Sequence, residues 1–526
     1  IKERRDCSCA LFDADGQLLA QAENMPVHLG AMPFSVDAAL ERYPPETLAP
    51  GDAILVNDPF HGGAHLPDLT LVTPVFADGS TDDPPVIGFA ANRAHHADIG
   101  GSTAGSVAAD STEIYQEGLR IPPVKLYDSG EIVEDVADLL LANVRTPDER
   151  QGDLRAQQAA NETGRRRLQS LAASYGLETF VNAVSAVQEY AERRMRAELE
   201  ALPDGTYRFE DVLDDDGQGA SDIPITVAVT IAGDAVTVDF SGTADQTAGA
   251  INAVFAVTAS ATYYAVRCVT DPDIPANAGA YRPITIDAPS GSVINATPPA
   301  AVVGGNLEVS QRVTDVLLGA LAAAAPERAL AACQGSMNNV TFGGTDPRTD
   351  TPYAFYETQG GGFGGRPTGD GMDGVHVHMS NTMNTPAEVL ETAYPLAVER
   401  YAYRPDTGGE GEYRGGVGLR RDIRIRDHEA TFSLLADRRR HAPYGLEGGH
   451  DGSPGDDRLI RDGEDKPLPA KTKRTLEPGD VVSIRTPGGG GYGDPAERDL
   501  EAIQRDIELG LLSLEQARTV YGHEEE

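Results

Sequence analysis

Eleven histidines occur in the chain, and five of them fall in its first hundred residues: His28, His61, His65, His95 and His96. They stand beside Asp58, Asp68 and Asp98. The densest stretch is Asn57-Asp58-Pro59-Phe60-His61-Gly62-Gly63-Ala64-His65-Leu66-Pro67-Asp68. Pro59, Gly62, Gly63 and Pro67 forbid a regular helix, so this is a shaped loop between strands. Such a loop can turn His65 and Asp68, three residues apart, toward one point. Imidazole with carboxylate suits Zn, Mn or Fe. A second cluster, Arg93-Ala94-His95-His96-Ala97-Asp98, ends a strand. Neighbouring strand residues face opposite ways, so one of His95 and His96 is expected to meet the His65/Asp68 loop. The other is left for hydrogen bonding or proton transfer. His95, His96 and Asp98 are therefore the catalytic candidates, and His65, Asp68 and His95 or His96 the metal candidates. A ligated metal would sit about 2.0–2.2 Å from each donor. The plainer alternative is that these polar groups only satisfy loop backbone.

Other stretches carry weaker messages. Gly360 to Gly374 is glycine-rich but lacks the Lys-Ser/Thr pair of a phosphate loop, and reads as a flexible turn. His376-Val377-His378 alternates as on a strand, which would put both rings on one face, for a metal or for packing. Asn381 to Pro386 offers polar substrate contacts or a cap for a helix led by Ala387-Glu388. Gly488 to Gly491 suits close backbone approach or a plain loop. No G-x-S-x-G elbow supports serine nucleophile chemistry.

The elements that would position these residues form a mixed α/β (α+β) pattern, strand-rich at both ends around a helical middle. Residues 7–22 read as a hairpin around Asp15-Gly16, and 53–57, 69–76 and 86–96 as strands. Phe180, Val184, Val187, Ala191, Met195 and Leu199 form one helical stripe, with Gly176 separating this helix from a preceding one. Residues 205–300 return to strands, 306–333 read as a helix, and 335 onward is glycine-rich β structure ending in a helical pair over 495–521. The expected divisions are 1–148, 149–204, 205–334 and 335–526, all within one unit.

The chain has 526 residues and a formal net charge of −39, with lysine only at positions 2, 125, 466, 471 and 473. Such a field repels phosphate backbones, so no nucleic acid partner is expected. An acidic, lysine-poor surface suits a halophilic cytoplasm, where salt screens self-repulsion. The longest apolar run, Val316 to Ala325, is too short for a membrane helix. Cys7, Cys9, Cys268 and Cys333 are too few for a disulfide framework. The chain opens on Ile1 with no leader pattern, which points to the cytosol.

Several long motifs, in order, resemble the hydantoinase B/oxoprolinase family: ERRDCSCALFDADGQLLAQ, MPVHLGAMP, NDPFHGGAHLPDLTLVTPVF, NRAHHADIGG, NVRTPDERQGDLRAQ, HVHMSNTMNTPAEVLE and TPGGGGYGDPAERD among them. The resemblance runs from about Glu3 to Tyr521. It implies one subunit of an ATP-dependent cyclic-amide hydrolase, of 5-oxoprolinase or N-methylhydantoinase type. A separate hydantoinase A-type subunit would bind ATP and Mg and phosphorylate the carbonyl oxygen of a small cyclic-amide substrate. The metal site carried over from the family falls on His65, Asp68, His95 or His96, and Asp6 of ERRD. The resemblance also admits an acetone- or acetophenone-type carboxylase subunit. A scaffold that only organises the ATPase is a third possibility. A hetero-oligomer is expected in each case.

Overall fold

The computed structural model describes residues 3–22, 24–78 and 84–523; Ile1 and Lys2 lie outside them. The architecture is mixed α/β. The first sheet has seven strands, β1 (Cys7–Phe12), β2 (Leu18–Gln21), β3 (Ala53–Val56), β4 (Asp68–Phe76), β5 (Val86–His95), β6 (Val124–Asp128) and β7 (Glu131–Ile132). Their spatial order is β2-β1-β5-β4-β3-β6-β7. The two central strands are buried along almost their whole length, because helices cover both faces.

One face carries α1 (Pro26–Arg42), a helix absent from the sequence reading. Its Gly30 and Pro33 count as breakers in a sequence. Here Gly30 has a packing purpose: a Cβ on it would lie 2.5 Å from Ser260 Cα, so α1 crosses α5 (Phe255–Cys268) at close range. The Ser260 hydroxyl sits 2.8 Å from the Pro26 carbonyl and 3.1 Å from that of Val27, which holds the first turn of α1. α5 also lies where strands were expected; its Val, Thr and Tyr content imitates a strand.

The other face carries α3 (Pro147–Tyr175), which follows the short α2 (Glu134–Ala142) and precedes α4 (Leu177–Glu200). Gln157 and Asn161, one turn apart on α3, bond Asn92 of β5 and the Leu69 and Leu71 carbonyls of β4. This amide ladder docks a markedly polar helix on the sheet. A second sheet of four strands spans Gly205–Asp215, Ser221–Ala232, Ala235–Asp239 and Ile284–Asp287. The expected helix over 306–333 is shorter: a π turn over Gly305–Val309 leads into a helix over Ser310–Ala322. One core includes residues from Val27 to Leu435, so the expected divisions share it.

The C-terminal part holds two further sheets and a second core. Its glycine-rich stretches are not flexible turns. They run side by side and bond one another: Gly362 N to Pro487 O (3.0 Å), Gly416 N to Phe363 O (2.8 Å), Gly489 N to Gly416 O (2.9 Å) and Gly409 N to Gly489 O (2.8 Å). Backbones approach so closely that a Cβ on Gly415 would lie 2.0 Å from Gly489 O. Among the described residues no helix is long and apolar enough to cross a membrane.

This packing sets a test. Gly415→Ala must push main chains apart, at a cost of about 1–3 kcal/mol or more, and should lower the melting temperature or leave the chain insoluble. Gly369→Ala, with nothing within 4 Å of the added carbon, should melt like the parent chain. Thermal scans of the two proteins compare them directly.

Candidate metal centre

The register of the first sheet brings the candidates together. Asp68 pairs directly with His95 across β4 and β5. Cys7 pairs with Ala94 across β1 and β5, and the His95 N–H donates to the Asp6 carbonyl at 3.1 Å. Asp6, His95 and Asp68 therefore form one cross-strand row, with side chains on the α1 face. His65 reaches the row from the loop before β4. One donor atom each from His65, Asp68 and His95 lies within 4.8 Å of the others. His65 Nδ1 is 3.1 Å and His95 Nδ1 3.3 Å from the Asp68 carboxylate.

All of these side chains are buried. Both carboxylate oxygens of Asp68, both ring nitrogens of His65, Nε2 of His95 and Oδ1 of Asp6 lack a hydrogen-bond partner among the described residues. Buried polar atoms are normally satisfied, and so many unpaired donors and acceptors around one point fit a divalent cation. Asp6 is less free than the others, since Arg4 bonds its second oxygen.

Sequence reasoning passed over two further contributors. His28, in the first turn of α1, places Nε2 3.3 Å from Asp68 and 3.6 Å from Asp6. Tyr356, on the strand Thr351–Glu357, stacks on His95 at 4.7 Å between ring centroids, and the Arg4 guanidinium lies 4.1 Å from the centroid of the Tyr356 ring. The MPVHLGAMP motif contained His28; nothing local marked Tyr356, which comes from across the chain.

Two catalytic candidates point elsewhere. His96, the next residue along the strand, faces α3, with Nε2 2.9 Å from Gln157 Oε1. Asp98 accepts from the backbone N–H of Gly100, Gly105 and Arg145 and from Arg145 Nη1 (2.8 Å), so it ties a loop rather than joining the centre. His61 pairs with Asp58 at the surface. His376 and His378 are not on one strand face either: His378 Nε2 faces Asp315 at 3.4 Å, while His376 bonds Ser380 and Thr382.

Burial raises the Asp68 carboxyl, but His65 and His28 outweigh it and hold it well below the usual range. Burial raises Asp6 too, and Arg4 foremost pulls it back below its ordinary value. Burial pushes His95 down to about 4 despite Asp68, and pushes His96 to about 4 with help from Arg150. Both rings are thus neutral at pH 7, the form that can donate a lone pair. Arg93, beneath the row, bonds Thr70 and Ser35, and places a buried cation near Asp68. A cavity of about 10 Å³ adjoins the row, lined by Asp6, His28 and His95 and, across from the N-terminal region in sequence, by Thr358, Ser380 and Thr382. That volume suits one water.

Fold and centre together define a mixed α/β protein with a buried His/Asp donor set formed in a cross-strand row. The chain belongs to the Hydantoinase B/oxoprolinase family, whose sequence profile matches residues 1–495. It is 35% identical over 541 residues to a putative D-/L-hydantoinase B-type subunit of a Pseudomonas species, covering 99% of this chain and 90% of that protein. It is 39% identical over 520 residues to 5-oxoprolinase 1 of Arabidopsis thaliana, covering 94% of this chain but 39% of the plant protein. The chain thus spans about two fifths of that relative. The structure of the ATP-dependent caprolactamase from Pseudomonas jessenii superposes with a TM-score of 0.91 at 33% identity, over 99% of this chain and 90% of that one. A nucleotide-free acetone carboxylase structure gives 0.88 at 20% identity, over 99% and 75%, a likeness of fold.

Two outcomes test this geometry. His65→Ala and Asp68→Ala should each lose bound divalent metal by elemental analysis, while His96→Gln should retain it. In the acid range, His95 and His96 titrate at about 4 when folded and at roughly 6.5 when unfolded. The unfolded chain then binds more protons, so their contribution to stability is full above that unfolded value and is lost as pH falls toward 4. Melting temperature should fall from pH 7 to pH 5, and less steeply in His96→Gln.

Proposed function

We propose that this chain is the B-type subunit of an ATP-dependent cyclic-amide hydrolase of the 5-oxoprolinase/hydantoinase type. The supporting observation is the buried, unsatisfied donor set of His65, Asp68 and His95, with Asp6 beside it, in a chain whose relatives are named for ring-opening hydrolases. An A-type partner would bind ATP and Mg and phosphorylate the carbonyl oxygen of the lactam. Amide resonance makes such a ring slow to open, and phosphorylation makes it a better electrophile.

A divalent metal, Zn or Mn by its nitrogen and oxygen donors, would supply Lewis acidity that brings the pKa of a bound water toward neutrality. His65, Asp68 and His95 would hold it, with Asp6 as a further oxygen donor. The chain's own residues do the rest. His65 and His28 keep Asp68 ionised in a buried setting, and the Arg93 cation lies nearby. Tyr356 fixes the plane of the His95 ring, and Arg4 holds Asp6 at the rim. The apolar side chains of Met25, Val27, Leu307 and Met337 wall the cavity and keep bulk water out. Since the cavity is water-sized, a ring substrate must displace part of this wall.

The proposal divides labour between two chains, which a reconstitution can test. The isolated chain should bind a divalent metal and show no lactam turnover. Activity should appear with an A-type subunit, ATP and Mg²⁺ on one of 5-oxoproline, a hydantoin or caprolactam. His65→Ala or Asp68→Ala should lower ring opening at least about 10³-fold, the scale of removing a group essential to the chemical step, while partner-dependent ATP cleavage persists. Full activity in these variants would leave a scaffold role. Turnover of acetone with bicarbonate, and of no lactam, would favour the carboxylase reading instead.

A further inference from the structure

The stretch from His376 to Thr382 closes one side of the cavity at the metal centre. Ser380 and Thr382 line that cavity together with Thr358 and with Asp6, His28 and His95. His376 lies behind the hydroxyls. Its Nδ1 is 2.8 Å from Ser380 Oγ, and its Nε2 is 3.3 Å from Thr382 Oγ1. Thr382 Oγ1 is in turn 2.6 Å from Thr358 Oγ1. One imidazole thus joins two separate hydroxyl ends that open on the same cavity.

The array is held in place. The Met383 N–H donates to the Arg4 carbonyl (3.0 Å), Asn381 Nδ2 to the Asn24 carbonyl (3.0 Å) and Asn384 Nδ2 to the Thr358 carbonyl (2.8 Å). Burial first, and Arg4 next, push His376 down to about 4, so its ring is neutral at pH 7. A neutral imidazole has one N–H and one lone pair. It can therefore take a proton at one nitrogen and give one up at the other.

We propose that Ser380, His376, Thr382 and Thr358 form a proton relay that serves the departing ring nitrogen, an inference that rests on the cyclic-amide reading above. Ring opening forms a carbon–oxygen bond to water and breaks the carbon–nitrogen bond; the phosphoryl group stays on the carbonyl oxygen as an acyl phosphate, which a second water cleaves to the carboxylate and phosphate. The nitrogen leaves with the electron pair and needs a proton, while the attacking water sheds one. A proton that enters at one hydroxyl end displaces that group's own proton onto His376. The opposite ring N–H passes its proton to the hydroxyl it faces, and the nitrogen collects one from the cavity end. One proton enters and one leaves, so no charge accumulates on the relay. Exchange with water between turnovers restores the His376 tautomer. His376 acts through the hydroxyls, as a positioning and relay residue.

The test uses the complete complex with the A-type partner, ATP and metal. His376→Gln can still bond both hydroxyls but cannot carry a ring proton. With 5-oxoproline, kcat should fall about 10²–10⁴-fold, the usual span for lost general acid–base help, while KM, metal content and ATP cleavage stay near wild type. With a hydantoin, whose leaving nitrogen is flanked by a second carbonyl and departs more readily, the loss should be at least about tenfold smaller. Added imidazole should restore part of the rate in His376→Ala. Equal losses on both rings, loss of metal alongside activity, or a His376→Gln complex as fast as wild type would overturn the relay and leave the hydrolase reading standing. A wild-type complex that opens none of 5-oxoproline, a hydantoin and caprolactam would overturn that reading and this inference with it.

Discussion

A buried carboxylate with no hydrogen-bond donor of its own governs the N-terminal half. Asp68 has no access to water, and both its oxygens lack hydrogen-bond partners among the described residues. An isolated buried anion would cost far more than a domain's net stability, so the surroundings must answer it. Three imidazole nitrogens stand 3.1–3.3 Å away, from His65, His28 and His95, and Arg93 lies beneath. Each of these arrives by a different route: a Pro- and Gly-bounded loop, the first turn of α1, and the next strand. The pairing of Asp68 with His95 fixes the row. A one-residue slip between β4 and β5 would turn His95 toward α3 and His96 toward the centre. The Gln157 and Asn161 ladder on the back face opposes that slip, because it needs Asn92 and His96 where they are.

The C-terminal half contributes what the first sheet cannot. Tyr356, Thr358, Ser380 and Thr382 reach the centre from segments that border the glycine-rich bundle. In that bundle adjacent main chains leave no room for side chains, so the segments have few ways to pack. Unlike a flexible loop, such backbone-to-backbone bonding is rigid, and it gives the hydroxyl-bearing stretch a fixed base. Glycine here acts by what it omits. Its lack of a Cβ lets three extended segments share hydrogen bonds at distances that any other residue would forbid.

How much of this the sequence disclosed depends on whether the determinant was local. The HLPD and HHAD stretches announced themselves by residue type, and strand alternation alone required His95 and His96 to part company. The choice between them needed the register, which is a long-range property. The helices over 147–200 were legible from one apolar stripe and a glycine break. α1 was not, because Gly30 and Pro33 speak against a helix locally while packing against Ser260 favours it. α5 was hidden by side chains that suit strands equally well. Asp98 looked like a partner for the adjacent histidines, but its backbone donors come from turns whose conformation residue types alone do not reveal. The glycine-rich stretches misled for the same reason: composition cannot distinguish a mobile loop from glycine required by close approach.

The two halves are also joined electrostatically, and the junction ends at the centre. Glu308, in the π turn, is buried; its Oε1 accepts from the Met337 N–H at 3.1 Å and from Asn339 Nδ2 at 2.8 Å. Asn339 Oδ1 accepts in turn from the Tyr356 hydroxyl at 3.0 Å, and Tyr356 stacks on His95. Burial foremost, and Asp437 next, push Glu308 up to about 7. Asp437 is paired through Lys471 and Arg312, which also face Asp215 and Asp211 of the second sheet. The π turn itself sets Asn306 and Leu307 in the cavity wall, two residues and one residue before Glu308. The irregular helix start accompanies two placements within five residues: Glu308 reaches the Met337 N–H and the Asn339 amide, and its neighbours face the candidate metal centre. A regular α turn would change the angular spacing between those side chains and could not give both placements with the same backbone.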